Sequence, residues 1–325
     1  MRAVLCKEYG PPESLVVEDV ASPPMHDQGV RIGVRAAGVN FPDVLMIKGE
    51  YQFKPSFPFS PGGEVAGEVL EVGPAVQGIA PGDRVLSVVG SGGFAEEVVA
   101  HGPGVMRIPD SMDWVSAAAL GMTYGTTVYA LQKRAHLREG EWLLVHAASG
   151  GVGLSAVEVG RAMGARVIGT GGDDERLKVA GERGAEHLIN YTSGSFKDRV
   201  KEITGGRGAD VIYDPVGGDV ALQSLRCINW DGRFLVIGFA GGTIPELPAN
   251  LILLKSCQVV GVFWGAYAMQ WPDQVKDDFD QLFAWWDEGK IAPHVSHTFP
   301  LERTADALYA LINREVVGKA VVTTG

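Results

Sequence analysis

Cysteine is nearly absent. The 325-residue chain has three, Cys6, Cys227 and Cys257, set far apart. That spacing makes neither a disulfide framework nor a thiolate metal site, so a reducing, cytoplasmic compartment is expected. A basic excess is missing as well. The formal net charge is −11, which argues against a nucleic-acid partner or an anionic membrane surface. No uncharged apolar run reaches the roughly 18 residues needed to span a bilayer. The N-terminal stretch MRAVLCKEYG carries early charges and no apolar signal core, so no export signal is expected. Internal repeats and low-complexity tracts are also lacking.

What is there suits a large soluble core: 46% of residues are hydrophobic and 21% charged. The length suits about two domains. The stretch that organises them runs from Glu141 to Thr170, EWLLVHAASGGVGLSAVEVGRAMGARVIGT. Trp142 to His146 is an apolar run of strand length. Small residues follow, Ala147 to Gly153, and then a helical pattern from Leu154 to Met163, stopped by Gly164. Arg166 to Gly169 opens a second strand, and the whole has the size of a βαβ crossover. The turn needs small residues for a physical reason. A phosphate accepts main-chain N–H bonds at a helix N-terminus only where no side chain intervenes. Ala148, Gly150 and Gly153 fall on the three glycine positions of the dinucleotide fingerprint, with alanine in the first.

Before that stretch, the chain reads as short strands separated by Pro, Gly and Asp. They are Ala3 to Cys6, Leu15 to Asp19, Gly29 to Ala37, Gly63 to Val72, Arg84 to Val89 and Phe94 to Ala100. Their spacing predicts a compact, barrel-like β domain. From Trp114 the period changes, with helical spacing over Val115 to Leu120 and again over Thr126 to Lys133. Strands and helices then alternate. Strands are expected at Ala185 to Ile189, Ala209 to Tyr213, Gly232 to Gly238 and Gln258 to Phe263, making six with the central pair. Alternation of this kind predicts a doubly wound parallel sheet covered on both faces. The expected domains are residues 1–122, residues 123–263, and a segment 264–325 that packs back on the first. The apolar last strand leaves an open edge, which a two-fold partner would cover, so a homodimer is expected.

Several motifs in this order carry a family resemblance. They are Gly38-Val39-Asn40-Phe41-Pro42-Asp43, Pro61 to Gly67, Tyr124-Gly125-Thr126, His146 to Gly153, Tyr213 to Gly218 and Gly318-Lys319-Ala320. The chain resembles the medium-chain dehydrogenase/reductase superfamily, and within it the zinc-independent quinone oxidoreductases. The resemblance implies an α/β protein, with a GroES-like β-barrel domain, a six-stranded Rossmann domain and an active-site cleft between them. Zinc-dependent relatives place a Cys where Asn40 stands and a His where Gly63 stands, and carry a four-cysteine lobe that is missing here. Glu64 remains, but zinc needs three or four ligands at once. His294 and His297 have no thiolate or third ligand near them in sequence. No zinc is therefore expected. Reduction of a quinone or an activated C=C suits such a site better than oxidation of an alcohol, which needs a metal or a strong base.

The resemblance also implies cofactor contacts. Ser149, Gly150, Gly151 and Val152 hold the pyrophosphate through main-chain amides. Thr126, opening a helix, faces the nicotinamide. Gly171 ends the second strand where NAD-specific relatives carry an acid. With Gly172, Arg176 and Tyr191 nearby, this favours NADPH. Asp173 is the residue that would accept from a ribose 2′-OH instead, so NADH is the alternative. Phe239, Val262, Phe263 and Trp264 follow two sheet strands, where their main chain meets the nicotinamide end; Trp264 reads equally as a cleft wall. Lys319 is a candidate phosphate contact. On the substrate side stand Asn40, able to donate or accept, Asp43, Tyr51 as the best proton donor, and Tyr124. Asp43 reads equally as a pin for its own turn. The function implied is NADPH-dependent reduction of a small quinone or enone. The alternatives are an enoyl- or acryloyl-CoA thioester reductase of the same superfamily, and a nicotinamide-binding protein without turnover, as lens crystallins of this family suggest.

Overall fold

The computed structural model describes residues 1–325. The chain forms two compact units: Met1–Met122 with Trp271–Asp287 and Pro293–Gly325, and Thr123–Gln270 with Glu288–Ala292.

The first unit is built on the long strand Gly29–Val39, whose Val30, Ile32 and Val34 point into the core. It pairs antiparallel with Glu64–Val72, Glu97–His101 and Lys319–Thr323. Arg84–Val88, Val105–Arg107 and Val295–Pro300 complete a seven-stranded sheet. Ile47, Phe94, Leu308 and Val322 join the strand residues in one apolar core; each such side chain contributes roughly 1.5–3 kcal/mol on leaving water. The last strand pairs with the C-terminal end of the chain's longest one. Ala320 lies opposite Val39 and Val321 opposite Gly38, which brings Lys319 beside Asn40.

Two elements here have no signature in the sequence pattern. Val105–Arg107 is a strand of three residues, too short to show a period. Phe41–Ile47 is a helix of seven residues with Pro42 in its first turn and Asp43 reaching back to its N-cap, Asn40. The two helical patterns after Trp114 merge into one helix, Trp114–Val128, which runs on as a π-helical turn, Tyr129–Arg134. Gly121 is no break: a Cβ there would sit 2.9 Å from a Glu64 carboxylate oxygen, so close approach explains the glycine.

The second unit holds a parallel sheet of six strands. Across the sheet these are His187–Asn190, Arg166–Gly171, Trp142–Val145, Ala209–Asp214, Ile228–Val236 and Gln258–Gly261. In chain order that is 3-2-1-4-5-6, the doubly wound arrangement expected from the alternating pattern. Helices cover both faces, so its strands are near-continuous apolar runs, with Leu143, Leu144, Ile168, Ile212 and Phe234 buried. The last strand stops at Gly261, short of the expected Phe263. Its neighbour ends at Val236, where Val262 donates the final bond to the Val236 carbonyl at 3.1 Å. Phe263 is left 61% exposed, and Trp264 opens the helix Trp264–Gln270. Because every strand runs the same way, their carboxyl ends share one edge. No helix of the protein is long and apolar enough to cross a membrane.

Candidate functional site

The strand Trp142–Val145 leads into a turn that closes through Gly150 N–H to the Ala147 carbonyl, 2.9 Å. Ala148 N–H ties the turn to the neighbouring strand through the Thr170 carbonyl, also 2.9 Å. The helix Gly151–Ala162 starts at once, with no side chain capping it. Its first intrahelical bond is Leu154 N–H to the Gly150 carbonyl, so the amides of Gly151, Val152 and Gly153 have no acceptor within the helix. A Cβ on Gly153 would lie 2.1 Å from the Ala147 carbonyl, so only glycine lets helix and turn approach so closely. An uncapped, half-exposed helix start of this kind fits a diphosphate. Of the four expected amides, that of Gly150 is engaged within the turn.

His146 was not among the expected site residues, because it reads as the end of an apolar run. It is buried, with Nδ1 2.8 Å from the Thr170 hydroxyl and Nε2 2.7 Å from the Ser224 hydroxyl. Ser224 gives its hydrogen to the Val220 carbonyl. Nε2 therefore donates to Ser224, and Nδ1 accepts from Thr170. Burial pushes the imidazole down to about 3. A neutral ring thus holds the first residue of the turn to a strand on one side and to the helix Gly218–Cys227 on the other.

The other expected cofactor residues sit around the same edge. Tyr191 follows the third strand and donates its N–H to the Gly171 carbonyl, next to Gly172. It lines a groove of about 320 Å³ with Gly194, Ser195, Phe196, Val220 and Gln223. Asp173 caps the helix Asp174–Glu182, accepting from Arg176 N–H at 3.0 Å. Phe239 and Phe263 are exposed and Trp264 is buried. Thr126 departs from expectation: it lies inside the helix Trp114–Val128 and opens nothing, because Gly125 does not interrupt that helix.

Tyr124 is buried, and its hydroxyl donates to Glu158. Glu158 accepts further from Arg183 at 3.1 Å and from Ala292 N–H at 3.2 Å. Burial raises the Tyr124 phenol well above its ordinary value, and the negative charge of Glu158 raises it again. A phenol so placed stays protonated and keeps its hydrogen on Glu158.

In the first unit the chain gathers Asn40, Asp43, Glu64 and Lys319, all buried. Lys319 Nζ contacts Asn40 Oδ1 at 2.6 Å, Glu64 Oε1 at 2.7 Å and the Val39 carbonyl at 3.0 Å. Asn40 Nδ2 donates to the same Glu64 oxygen at 2.7 Å and to the Gly38 carbonyl at 3.3 Å. Glu64 Oε2 accepts from Met122 N–H at 2.6 Å. Lys319 thus has three acceptors within the protein for its three hydrogens. Asp43 accepts from Asn40 N–H at 2.8 Å and Gly62 N–H at 3.2 Å, which pins its own turn. Burial pushes the Asp43 carboxyl up to about 7. Tyr51 is half-buried beside it, and both burial and the Asp43 charge raise its phenol.

The chain matches the family model for an alcohol dehydrogenase GroES-like domain over residues 26–110. Residues 151–284 match the model described as zinc-binding dehydrogenase. It is 42% identical to quinone oxidoreductase-like protein 2 homolog of Nematostella vectensis, over 99% of this chain and 89% of that one. It is 34% identical to quinone oxidoreductase of Homo sapiens, over 94% of this chain and 92% of that one. The Escherichia coli quinone oxidoreductase complexed with NADPH superimposes with a TM-score of 0.92 at 29% identity, covering all of both chains. The chain belongs to the zinc-independent, quinone oxidoreductase-like branch of the medium-chain dehydrogenase/reductase superfamily.

In this medium-chain oxidoreductase the barrel-like unit is the GroES-like domain and the parallel sheet the Rossmann domain, as the motifs implied. The zinc named in the broader family description has no donor set here. Asn40 and Gly63 supply neither thiolate nor imidazole. Glu64 is ringed by N–H donors. No group of three or more His, Cys, Asp or Glu side chains is placed to hold a metal ion. His294 gives its carbonyl to Lys319 N–H, and His297 bonds Ser296 and stacks on Phe299.

Proposed function

We propose that this protein reduces quinones and related activated enones with NADPH. The observation that carries the reading is the pairing of two local chemistries. An uncapped helix start at Gly151 fits a dinucleotide diphosphate, and the Asn40–Glu64 position is filled by the chain's own ammonium, Lys319. Relatives named quinone oxidoreductase, one of them complexed with NADPH, support it. Bound at the Rossmann edge, a reduced nicotinamide supplies a hydride to an electrophilic carbon.

The chain's residues then have separable tasks. The amides of Gly151 and Val152 take the diphosphate. Gly171 ends its strand without a side chain, and Asp173 is turned to capping its helix. Both favour a cofactor with a 2′-phosphate, near Arg176 and Tyr191. Tyr51 stays protonated, since its phenol is raised by burial and by Asp43, and so donates to the oxygen of the reduced acceptor. Asp43 positions the turn between Asn40 and Gly62.

The test is a panel of 9,10-phenanthrenequinone, simple enones, enoyl-CoAs and alcohols, run with NADPH and NADH in parallel. Fastest oxidation of NADPH with the quinone is expected. Preference for an enoyl-CoA moves the protein to thioester reduction. Tight NADPH binding without oxidation of any kind makes it a binding protein. A homodimer goes with this reading: Gln258–Gly261 is the outer strand of its sheet, and Leu253 and Leu254 beside it are 79% and 67% exposed.

A further inference from the structure

We propose that Lys319 is a positioning residue whose ammonium locks the Asn40 carboxamide, so that Asn40 meets a ligand only as a hydrogen-bond acceptor.

The orientation of an amide is assigned from its neighbours, and here two neighbours decide it independently. Lysine has donors and no acceptor, so the Asn40 atom at 2.6 Å from Nζ is the oxygen. Glu64 accepts from Lys319 and Met122 N–H, and as a carboxylate has only acceptors, so the Asn40 atom at 2.7 Å from it is the nitrogen. A flipped amide would set N–H against ammonium and oxygen against carboxylate at once. Both Nδ2 hydrogens are then engaged, one with Glu64 and one with the Gly38 carbonyl. What remains for a ligand is the acceptor capacity of Oδ1, whose second lone pair also faces the Asp43 N–H across the capping box. The network is buried, which strengthens every bond in it and makes an unpaired member costly. Strand pairing delivers the lysine: Ala320 opposite Val39 puts Lys319 at this spot.

The chemical consequence rests on the reading that Asn40 faces the reacting ligands. An acceptor takes a hydroxyl, either of a cofactor ribose or of the hydroquinone product. It gives nothing to the carbonyl of the oxidised acceptor. The proton and the stabilisation of the developing oxyanion then fall to Tyr51.

A double-mutant cycle on the full chain tests the lock. Asn40→Ala and Lys319→Met should each lower kcat/KM by about tenfold, and the double variant should fall no further than the worse single one, because Lys319 acts through Asn40. Effects that multiply, or a folded Lys319→Met with full activity, overturn it. Weaker NADPH binding in Asn40→Ala identifies the ribose hydroxyl; weaker inhibition by hydroquinone alone identifies the product. Should Lys319→Met fail to fold around an unpaired Glu64, Lys319→Met/Glu64→Gln removes both charges and takes its place in the cycle. NMR of the wild-type protein decides independently of any variant. The Asn40 side-chain NH₂ should exchange slowly with deuterium; exchange at the rate of an exposed asparagine refutes the lock. That measurement needs no substrate, so absence of turnover would sink the proposed reaction and leave the lock still tested.

Discussion

Tyr124 gives its phenolic hydrogen to Glu158, and both residues are buried. The bond joins the helix Trp114–Val128 to the helix Gly151–Ala162. Burial raises the Glu158 carboxyl, while the bonds from Tyr124 and Arg183 pull it back down. Tyr124→Phe removes one donor from this acid and leaves Arg183 and Ala292 N–H in place. The expected loss is about 1.5–3 kcal/mol, the usual cost for a hydrogen bond to a charged group. The urea midpoint should fall while quinone turnover stays within about twofold. A large drop in kcat at unchanged stability would return Tyr124 to the chemistry.

Asp43 makes stability depend on pH in a direction unusual for a carboxylate. Its pKa rises from the ordinary 3.8 to about 7 because burial disfavours its charge. The folded state therefore holds this proton more tightly than the unfolded state does. Its contribution is complete below the unfolded value, declines as pH rises from about 4 to about 7, and is lost above that. Asp43→Asn removes the titration. Between pH 5 and 7.5, wild type should lose on the order of 2 kcal/mol relative to the variant. Parallel slopes in the two proteins would show that the carboxyl does not titrate there.

The strand–turn–helix unit at Trp142 to Ala162 was legible because its signal is local: small residues between a strand and a helix, within thirty positions. The six parallel strands were legible too, since strands and covering helices have different periods. The Lys319 network was not. Its partners are Asn40 and Glu64, 279 and 255 positions away, and only the pairing of the last strand with Gly29–Val39 brings them together. Nothing in the Gly318-Lys319-Ala320 motif announces that pairing. The Tyr124–Glu158 bond was hidden for a related reason, since nothing near Tyr124 in sequence announces Glu158. His146 was hidden by its place in an apolar strand, where a neutral, doubly bonded imidazole looks like any other buried residue.

Gly151→Asp separates helix stability from cofactor binding. An acid in the first turn of Gly151–Ala162 interacts favourably with the helix dipole, worth about 0.3–1 kcal/mol. The same carboxylate faces any phosphate bound at the uncapped amides. The variant should be as stable as wild type or slightly more so, yet bind NADPH at least about tenfold more weakly, which is 1.4 kcal/mol. Thermal melting and fluorescence titration read the two effects. Unchanged NADPH affinity in a stable variant moves the diphosphate away from this turn.

The outer strand Gln258–Gly261 offers the last test. It pairs on one side only, with Ile228–Val236, and Val259 is 39% exposed. An uncovered edge with apolar neighbours invites a second copy, and a lysine on such an edge opposes pairing by placing a charge that must be desolvated. Light scattering of the wild type should give twice the 34.6 kDa chain mass. Val259→Lys should shift the population toward the single chain at micromolar concentration. Its melting temperature should then become independent of concentration, since only an associating protein is stabilised by its own abundance. The turn before Gly151 follows the strand Trp142–Val145, three strands from this edge, so cofactor affinity should be unchanged. A wild-type protein that is already monomeric would mean that the exposed leucines and the open edge are covered by something other than a twin chain.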